Sequence, residues 1–263
     1  MDLKLQGLKA LVTGASRGLG FATALGLARE GAEVALNSRS TESLHHAAER
    51  ILKETGKRIA LYPGDVTDPA VPDHLVCASA ETFGGLDLLV TNSGGPPSGP
   101  FETFDDAVWQ RAIELSLMSH VRLIRAAVPY LRRSKAASVL TVTSYSVKQP
   151  IPNLVLSNSI RSATTGLTKS LALELGKDGI RFNSILPAWT ETERILELIS
   201  ARALANGTTV EDELHKQAMD SPLGRMGTAE EFANAAIFLL SPAASYITGV
   251  MLTVDGGMYK GTY

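Results

Sequence analysis

A single cysteine, Cys77, serves a chain of 263 residues, so no internal disulfide can form and a reducing compartment is expected. Set in a helical pattern with Leu75, Val76 and Ala80, Cys77 reads as a small core residue. Aromatic residues are scarce, at 6%, and neither sign of charge dominates: 25 Lys and Arg stand against 27 Asp and Glu, a net charge of −2. That balance gives no electrostatic reason for nucleic acid or an anionic membrane as partner. The short basic run Arg132-Arg133-Ser134-Lys135 is placed to cap a helix C-terminus, where cations oppose the dipole. No apolar stretch approaches the roughly 18 residues that cross a bilayer, and the N-terminus lacks the apolar region of a secretory signal. A cytoplasmic location is the expectation. No histidine has metal-ligand spacing, and no Cys or acid cluster completes a site, so no metal is expected.

What is present is a full core, with 44% apolar residues, organised around Thr13-Gly14-Ala15-Ser16-Arg17-Gly18-Leu19-Gly20. Ala10-Leu11-Val12 before it reads as a buried strand; Ala22, Leu25 and Leu27-Ala28 after it recur at helical spacing. A Gly-rich turn from strand to helix offers backbone N–H groups to a phosphate. Gly14 permits the tight turn, Gly18 the approach of a pyrophosphate, and Gly20 the packing of helix on strand. The spacing is Gly-x-x-x-Gly-x-Gly and not the commoner Gly-x-Gly-x-x-Gly. The expected nucleotide-binding residues here are Gly14, Ser16, Arg17, Gly18, Leu19 and Gly20. About 20 residues on, an acid would accept from the ribose 2′-hydroxyl of NAD, whereas an arginine accommodates the 2′-phosphate of NADP. The segment Asn37-Ser38-Arg39-Ser40 has no acid, so Ser38, Arg39 and Arg17 argue for NADP(H) over NAD(H).

Further strands are expected at Glu33–Leu36, Ile59–Tyr62, Leu86–Val90, Val139–Thr143, Ile180–Ile185 and Leu252–Val254. Helical patterns alternate with them. One runs from Glu42 to Thr55, and Asp68 is a good N-cap for the next. A long helix carries the stripe Ile113, Leu117, Val121, Ile124, Val128 and Leu131, and a later one carries Ala163, Leu167, Leu171 and Leu175. Alternation of this kind predicts an α/β fold: a single Rossmann-type domain over residues 1–263. It is a doubly wound parallel sheet of about seven strands with helices on both faces. Ligands then lie beyond the carboxyl ends of the strands, where the glycine turn, Asp65, Asn92, Ser144 and Pro187 fall. A Pro/Gly-rich loop, Pro96 to Pro100, can border such a site. Residues 190–221, with Ile195, Leu196, Leu198, Ile199, Leu204, Leu214 and Met219 apolar, form either a substrate lid or the core face of two helices. Trp189 either borders the pocket or anchors that segment.

Thr13–Gly20, Gly64-Asp65-Val66-Thr67-Asp68, Thr91-Asn92-Ser93-Gly94, Gly179-Ile180-Arg181-Phe182-Asn183 and Tyr246 through Gly257, taken in order, resemble the short-chain dehydrogenase/reductase family. The resemblance covers nearly the whole chain and is greatest to the 3-oxoacyl-carrier-protein reductase-like branch. It implies hydride transfer with NAD(P)H on a small-molecule substrate and a homo-oligomer, tetramer or dimer, built through two long helices. It also implies that Asp65 and Val66 hold adenine, Asn92 and Gly94 the adjoining ribose, and Pro187 and Thr192 the nicotinamide end.

The family's catalytic Asn, Ser, Tyr, Lys set is where the chain departs from that pattern. Ser144 stands at the Ser position, but Ser157 and Arg161 stand where Tyr and Lys belong, and Ser116 where Asn belongs. The match of Gly166 to Leu171 downstream secures the register. A serine hydroxyl is far less acidic than a phenol of pKa about 10, and arginine is a poor proton relay. Tyr145, next to Ser144, points the other way on an extended segment, and His120 reads as a helix-packing residue. Ser144, Ser157 and Arg161 are therefore expected to form an oxyanion site. That suits hydride addition to an α,β-unsaturated carbonyl, or to a carbonyl with a water-borne proton. The alternative is a catalytically silent NADP(H)-binding scaffold or sensor.

Overall fold

The computed structural model describes residues 1–262, with backbone alone for Arg194 and Ala201. Seven short strands form one parallel sheet: β1 (Lys9–Val12), β2 (Glu33–Ser38), β3 (Ala60–Pro63), β4 (Leu88–Thr91), β5 (Ser138–Val142), β6 (Arg181–Pro187) and, last in the chain, β9 (Met251–Val254). Their order is β3-β2-β1-β4-β5-β6-β9. The chain steps outward from β1 to β2 and β3, then returns to β4 on the other side of β1. That reversal opens a crevice at the carboxyl ends of β1 and β4.

Side chains alternate across the sheet, so each strand feeds two cores. Ala10, Val12, Val34, Leu36, Val90 and Leu140 pack under α1 (Gly18–Arg29), α2 (Thr41–Thr55) and α9 (Ala229–Leu240). Leu11, Ala35, Leu89, Val139 and Phe182 pack under α3 (Val71–Phe83), α5 (Ser119–Leu131) and α6 (Val155–Leu175). Each fully buried Leu or Phe contributes about 1.5–3 kcal/mol. The expected fold class and strand alternation are therefore present.

Local chemistry explains the helix limits. Ser40 caps α2 by accepting from Ser43 N at 3.2 Å, and Gly56 closes it at φ 71°. Asp68 does not cap α3. The helix begins later, after Ala70, and Asp68 Oδ1 instead accepts from Ala70 N at 3.0 Å within the preceding turn. Cys77 is half-buried and not a core residue, because its Sγ faces outward along α3 to Glu81 Oε1 at 3.3 Å.

The long helix before β5 is interrupted. α4 (Asp106–Ile113) runs into a π-helical turn, Glu114–Met118, and then α5. The extra residue in that turn rotates α5 relative to α4. Ser116, Ser119, His120, Leu123 and Ala127 are buried with Ile124 and Leu131 of the expected stripe, whereas its Ile113, Leu117, Val121 and Val128 are only half-buried. On α6 the expected stripe is also displaced. Ala163 is exposed, Leu167 and Leu171 are half-buried, and the inward face is Ile160, Arg161, Thr164, Thr165, Thr168, Ala172 and Leu175.

Residues 190–228 leave the sheet as a separate arm. It is anchored by a two-residue parallel pair, β7 (Thr190–Glu191) with β8 (Gly227–Thr228), and contains α7 (Glu193–Asn206) and α8 (Val210–Met219). Its apolar side is smaller than its composition suggests. Ile199 is buried, but Leu204 and Met219 are 86% and 62% exposed.

Candidate active site

β1 delivers the chain into the glycine turn, and β4 holds it there. Thr13 Oγ1 donates to Asn92 O at 2.8 Å, and Asn92 Nδ2 donates to Gly14 O at 3.1 Å. Gly14, at φ 58°, lies so close that a Cβ would stand 2.8 Å from Asn92 Nδ2 and O. A Cβ on Gly20 would overlap the carbonyl oxygen of Gly14. Arg17, at the N-cap of α1, gives no side-chain cap, and the first turn holds no acid. The first N–H groups of α1 thus lack the side-chain partner a helix terminus needs, in the geometry that suits a phosphate. On these grounds the turn fits a dinucleotide.

The other residues expected at the nucleotide lie around this turn, except that Arg17 is held from outside it. Ser38 ends β2 and Arg39 follows it, exposed. Arg17 is bound elsewhere: its Nη1 lies 2.8 Å from Glu193 Oε2 and 3.5 Å from Glu197 Oε1, on α7. Asp65 Oδ1 accepts from Thr67 N and Thr67 Oγ1 at 2.9 and 2.8 Å, which shapes the turn around buried Val66. Pro187 ends β6 opposite Val254. Thr192 caps α7 and stands over Gly18. Leu19 and Ser16 are half-buried in the turn.

At the ends of β4 and β5 the structure brings Ser144, Arg161 and Gly94 together. Arg161 is 7% exposed. Its Nη1 donates to Val142 O and Thr143 O at 3.1 and 3.0 Å, and its Nη2 to Gly94 O at 3.2 Å. Burial lowers its pKa to about 10, so it stays a cation at neutral pH. Three of the five guanidinium N–H groups are used by these carbonyls. Ser144 follows directly, extended at φ −163°. Its Oγ accepts from Ser146 N at 3.2 Å, which leaves the hydroxyl proton to donate outward. Ser157, half-buried, lies one helical turn before Arg161 and shares its face. The Pro/Gly-rich loop crosses the start of α6, where Gly99 N donates to Asn153 O at 2.8 Å.

Contrary to the expected extended segment, Tyr145 opens a 3-10 turn, Tyr145–Val147, directly after Ser144. It is buried, and burial raises its pKa, opposed by a hydrogen bond from Trp189. Trp189 is itself buried with Ile199, Met226 and Met258, and Arg202 lies over its ring at 5.3 Å; it anchors the arm.

Sequence reasoning missed the polar layer behind Arg161. Thr164 Oγ1 donates to Ser116 O at 2.5 Å, and Thr141 Oγ1 meets Thr168 Oγ1 and Ser184 Oγ at 2.9 and 2.6 Å. The signal was a run of threonines at helical spacing in α6, residues that fit a helix interior poorly unless they are bonded. Ser116 Oγ and Thr143 Oγ1 are buried without a hydrogen-bond partner among the described residues. Among the described residues no group of His, Cys, Asp and Glu could hold a metal ion, and no helix is long and apolar enough to cross a membrane.

Known proteins resemble this chain in sequence and in fold. A family model described as Enoyl-(Acyl carrier protein) reductase matches residues 14–259. The chain is 33% identical to L-rhamnose 1-dehydrogenase (NAD(P)(+)) of Sphingomonas sp. (strain SKA58), over 97% of each chain. It is 34% identical to 3-oxoacyl-[acyl-carrier-protein] reductase FabG of Vibrio cholerae, covering 98% of this chain and 99% of that one. L-sorbose reductase from Gluconobacter frateurii, solved with NADPH and L-sorbose, superposes with a TM-score of 0.95 at 34% identity, covering 99% of this chain and all of that one.

Proposed function

Because the chain belongs to the short-chain dehydrogenase/reductase family and is an oxidoreductase, we propose that it reduces a carbonyl or α,β-unsaturated carbonyl with NADPH through an atypical site. The glycine turn, Ser38 and Arg39, Asp65 and Val66, Asn92 and Gly94, and Pro187 and Thr192 would hold the dinucleotide. Bound there, the reduced nicotinamide supplies the hydride.

One observation carries the reading: Arg161 is a buried cation held by three backbone carbonyls, one turn after Ser157 and beside Ser144. Burying a charge without an acidic partner is costly, and the arrangement is repaid when negative charge develops on a substrate oxygen. Ser144 and Ser157 donate their hydroxyls to that oxygen, and Arg161 supplies the field. None of the three releases a proton readily, since a serine hydroxyl is a weak acid and the guanidinium stays protonated. Hydride addition to the β-carbon of an enone moves the electron pair onto the carbonyl oxygen, and water then protonates the α-carbon. Carbonyl reduction by the same residues needs the proton on oxygen instead, again from water. The enone is the better match, in line with the description of the matching family model.

The arm over residues 190–221 serves as a substrate lid within the one domain. Leu173, 77% exposed on α6, supports pairing of that helix with another copy in a dimer or tetramer, and a cytoplasmic location fits the lone half-buried thiol. A silent NADP(H)-binding scaffold is the second reading, favoured by the lack of a phenol at position 157. The test is turnover: NADPH consumption with enones and with matched saturated ketones. Faster consumption with enones supports the proposal. Tight NADPH binding with no consumption on either class would favour the scaffold.

A further inference from the structure

Arg17 belongs to the glycine turn by sequence and to the lid by contact. Glu193 and Glu197, four residues apart and so on one face of α7, both hold Nη1, at 2.8 and 3.5 Å. The helix is seated on the turn itself: Thr192 Cγ2 and Cβ lie 3.7 and 3.8 Å from where a Cβ on Gly18 would stand. Guanidinium takes carboxylate and phosphate oxygens with the same geometry. A phosphate that uses Nη1 of Arg17 must therefore compete with these two acids for it.

We propose that Glu193 and Glu197 are specificity-determining residues for the cofactor, holding Arg17 in competition with the 2′-phosphate that separates NADPH from NADH. This rests on the dinucleotide reading above. All three side chains are more than half exposed, at 58%, 67% and 51%. Pairs this exposed are weak and screened by salt. A phosphate carrying nearly two charges can displace them at a cost of a few-fold in affinity. NADH offers nothing to displace them and leaves α7 tied to the turn. Arg39, exposed just past the end of β2, carries no such tie to α7 among the described residues and keeps a baseline preference for NADPH.

The experiment is a fluorescence titration with NADPH and NADH of the unmodified chain, Glu193→Gln with Glu197→Gln, Arg17→Ala, and the three substitutions combined. The double variant is expected to bind NADPH about three- to fivefold more tightly with NADH unchanged. On the Arg17→Ala background the same two substitutions are expected to change nothing further. Unchanged NADPH affinity in the double variant would overturn the inference and leave the cofactor reading standing. So would an equal shift for both nucleotides, which would mean that the acids act on lid closure alone. Failure of the unmodified chain to bind either nucleotide would overturn the cofactor reading and this inference with it.

Discussion

Nδ1 of His120 lies 2.6 Å from Oγ1 of Thr91, and this bond ties the first turn of α5 to the last residue of β4. Both residues are buried. Burial, and then the charge of Arg161, lower the imidazole pKa to about 3, so the ring is neutral in the folded protein. The bond therefore positions the site's floor and adds no second cation beside Arg161.

Stability should depend on pH through this ring. The unfolded imidazole, with pKa near 6.5, takes up a proton that the folded one refuses until about pH 3. The unfolded state binds more protons across that window, so stability is lost as pH falls, by about 1.4 kcal/mol per unit well below pH 6.5. His120→Asn keeps a hydrogen-bonding side chain without the titration. Urea unfolding of both proteins between pH 4 and 7 should give a steeper pH slope in the unmodified chain. Equal slopes would mean that His120 is not the titrating group.

Arg161→Met removes the charge while keeping much of the side-chain volume. If the guanidinium stabilises charge on the substrate, kcat/KM should fall about 100-fold or more, as when an oxyanion donor is lost. Arg161→Lys, which keeps the charge but not the fork to three carbonyls, should fall between the two. A loss below about threefold in the methionine variant would remove Arg161 from the chemistry.

Ser157→Tyr combined with Arg161→Lys should introduce a phenol and an amine one helical turn apart, supplying the acid the natural site lacks. Reduction of simple ketones is expected to rise at least about tenfold. No rise would show that the surrounding pocket, and not these two positions, limits the reaction.

Two glycine-to-alanine changes should have opposite signs. A Cβ at Gly20 meets backbone, the carbonyl of Gly14, which cannot yield; Gly20→Ala should abolish nucleotide binding and cost about 1–3 kcal/mol of stability. A Cβ at Gly166, exposed within α6, meets nothing within 4 Å, and Gly166→Ala should stabilise by about 0.5–1 kcal/mol. Thermal unfolding and NADPH titration separate the two.

The order of elements, the parallel sheet and the glycine turn were legible in the residues themselves. Each rests on a local property: the alternation or helical spacing of apolar side chains, or a position such as Gly14 where φ must be positive. That Ser157 and Arg161 stand one turn apart was legible too, because their spacing along α6 sets it. The tertiary structure decided which groups these side chains meet. The long helix is broken by a π-helical turn, and Ser116, Ser119 and His120 are buried beside Ile124 and Leu131 of the apolar stripe, while Ile113, Leu117, Val121 and Val128 are not. Arg161 found its carbonyls at the end of β5 and, through Gly94, on a distant loop, and Arg17 found Glu193 across 176 positions of chain. Charge and hydrogen-bonding capacity belong to the residue, whereas partners belong to the packing, and no local pattern encodes contacts made at that range.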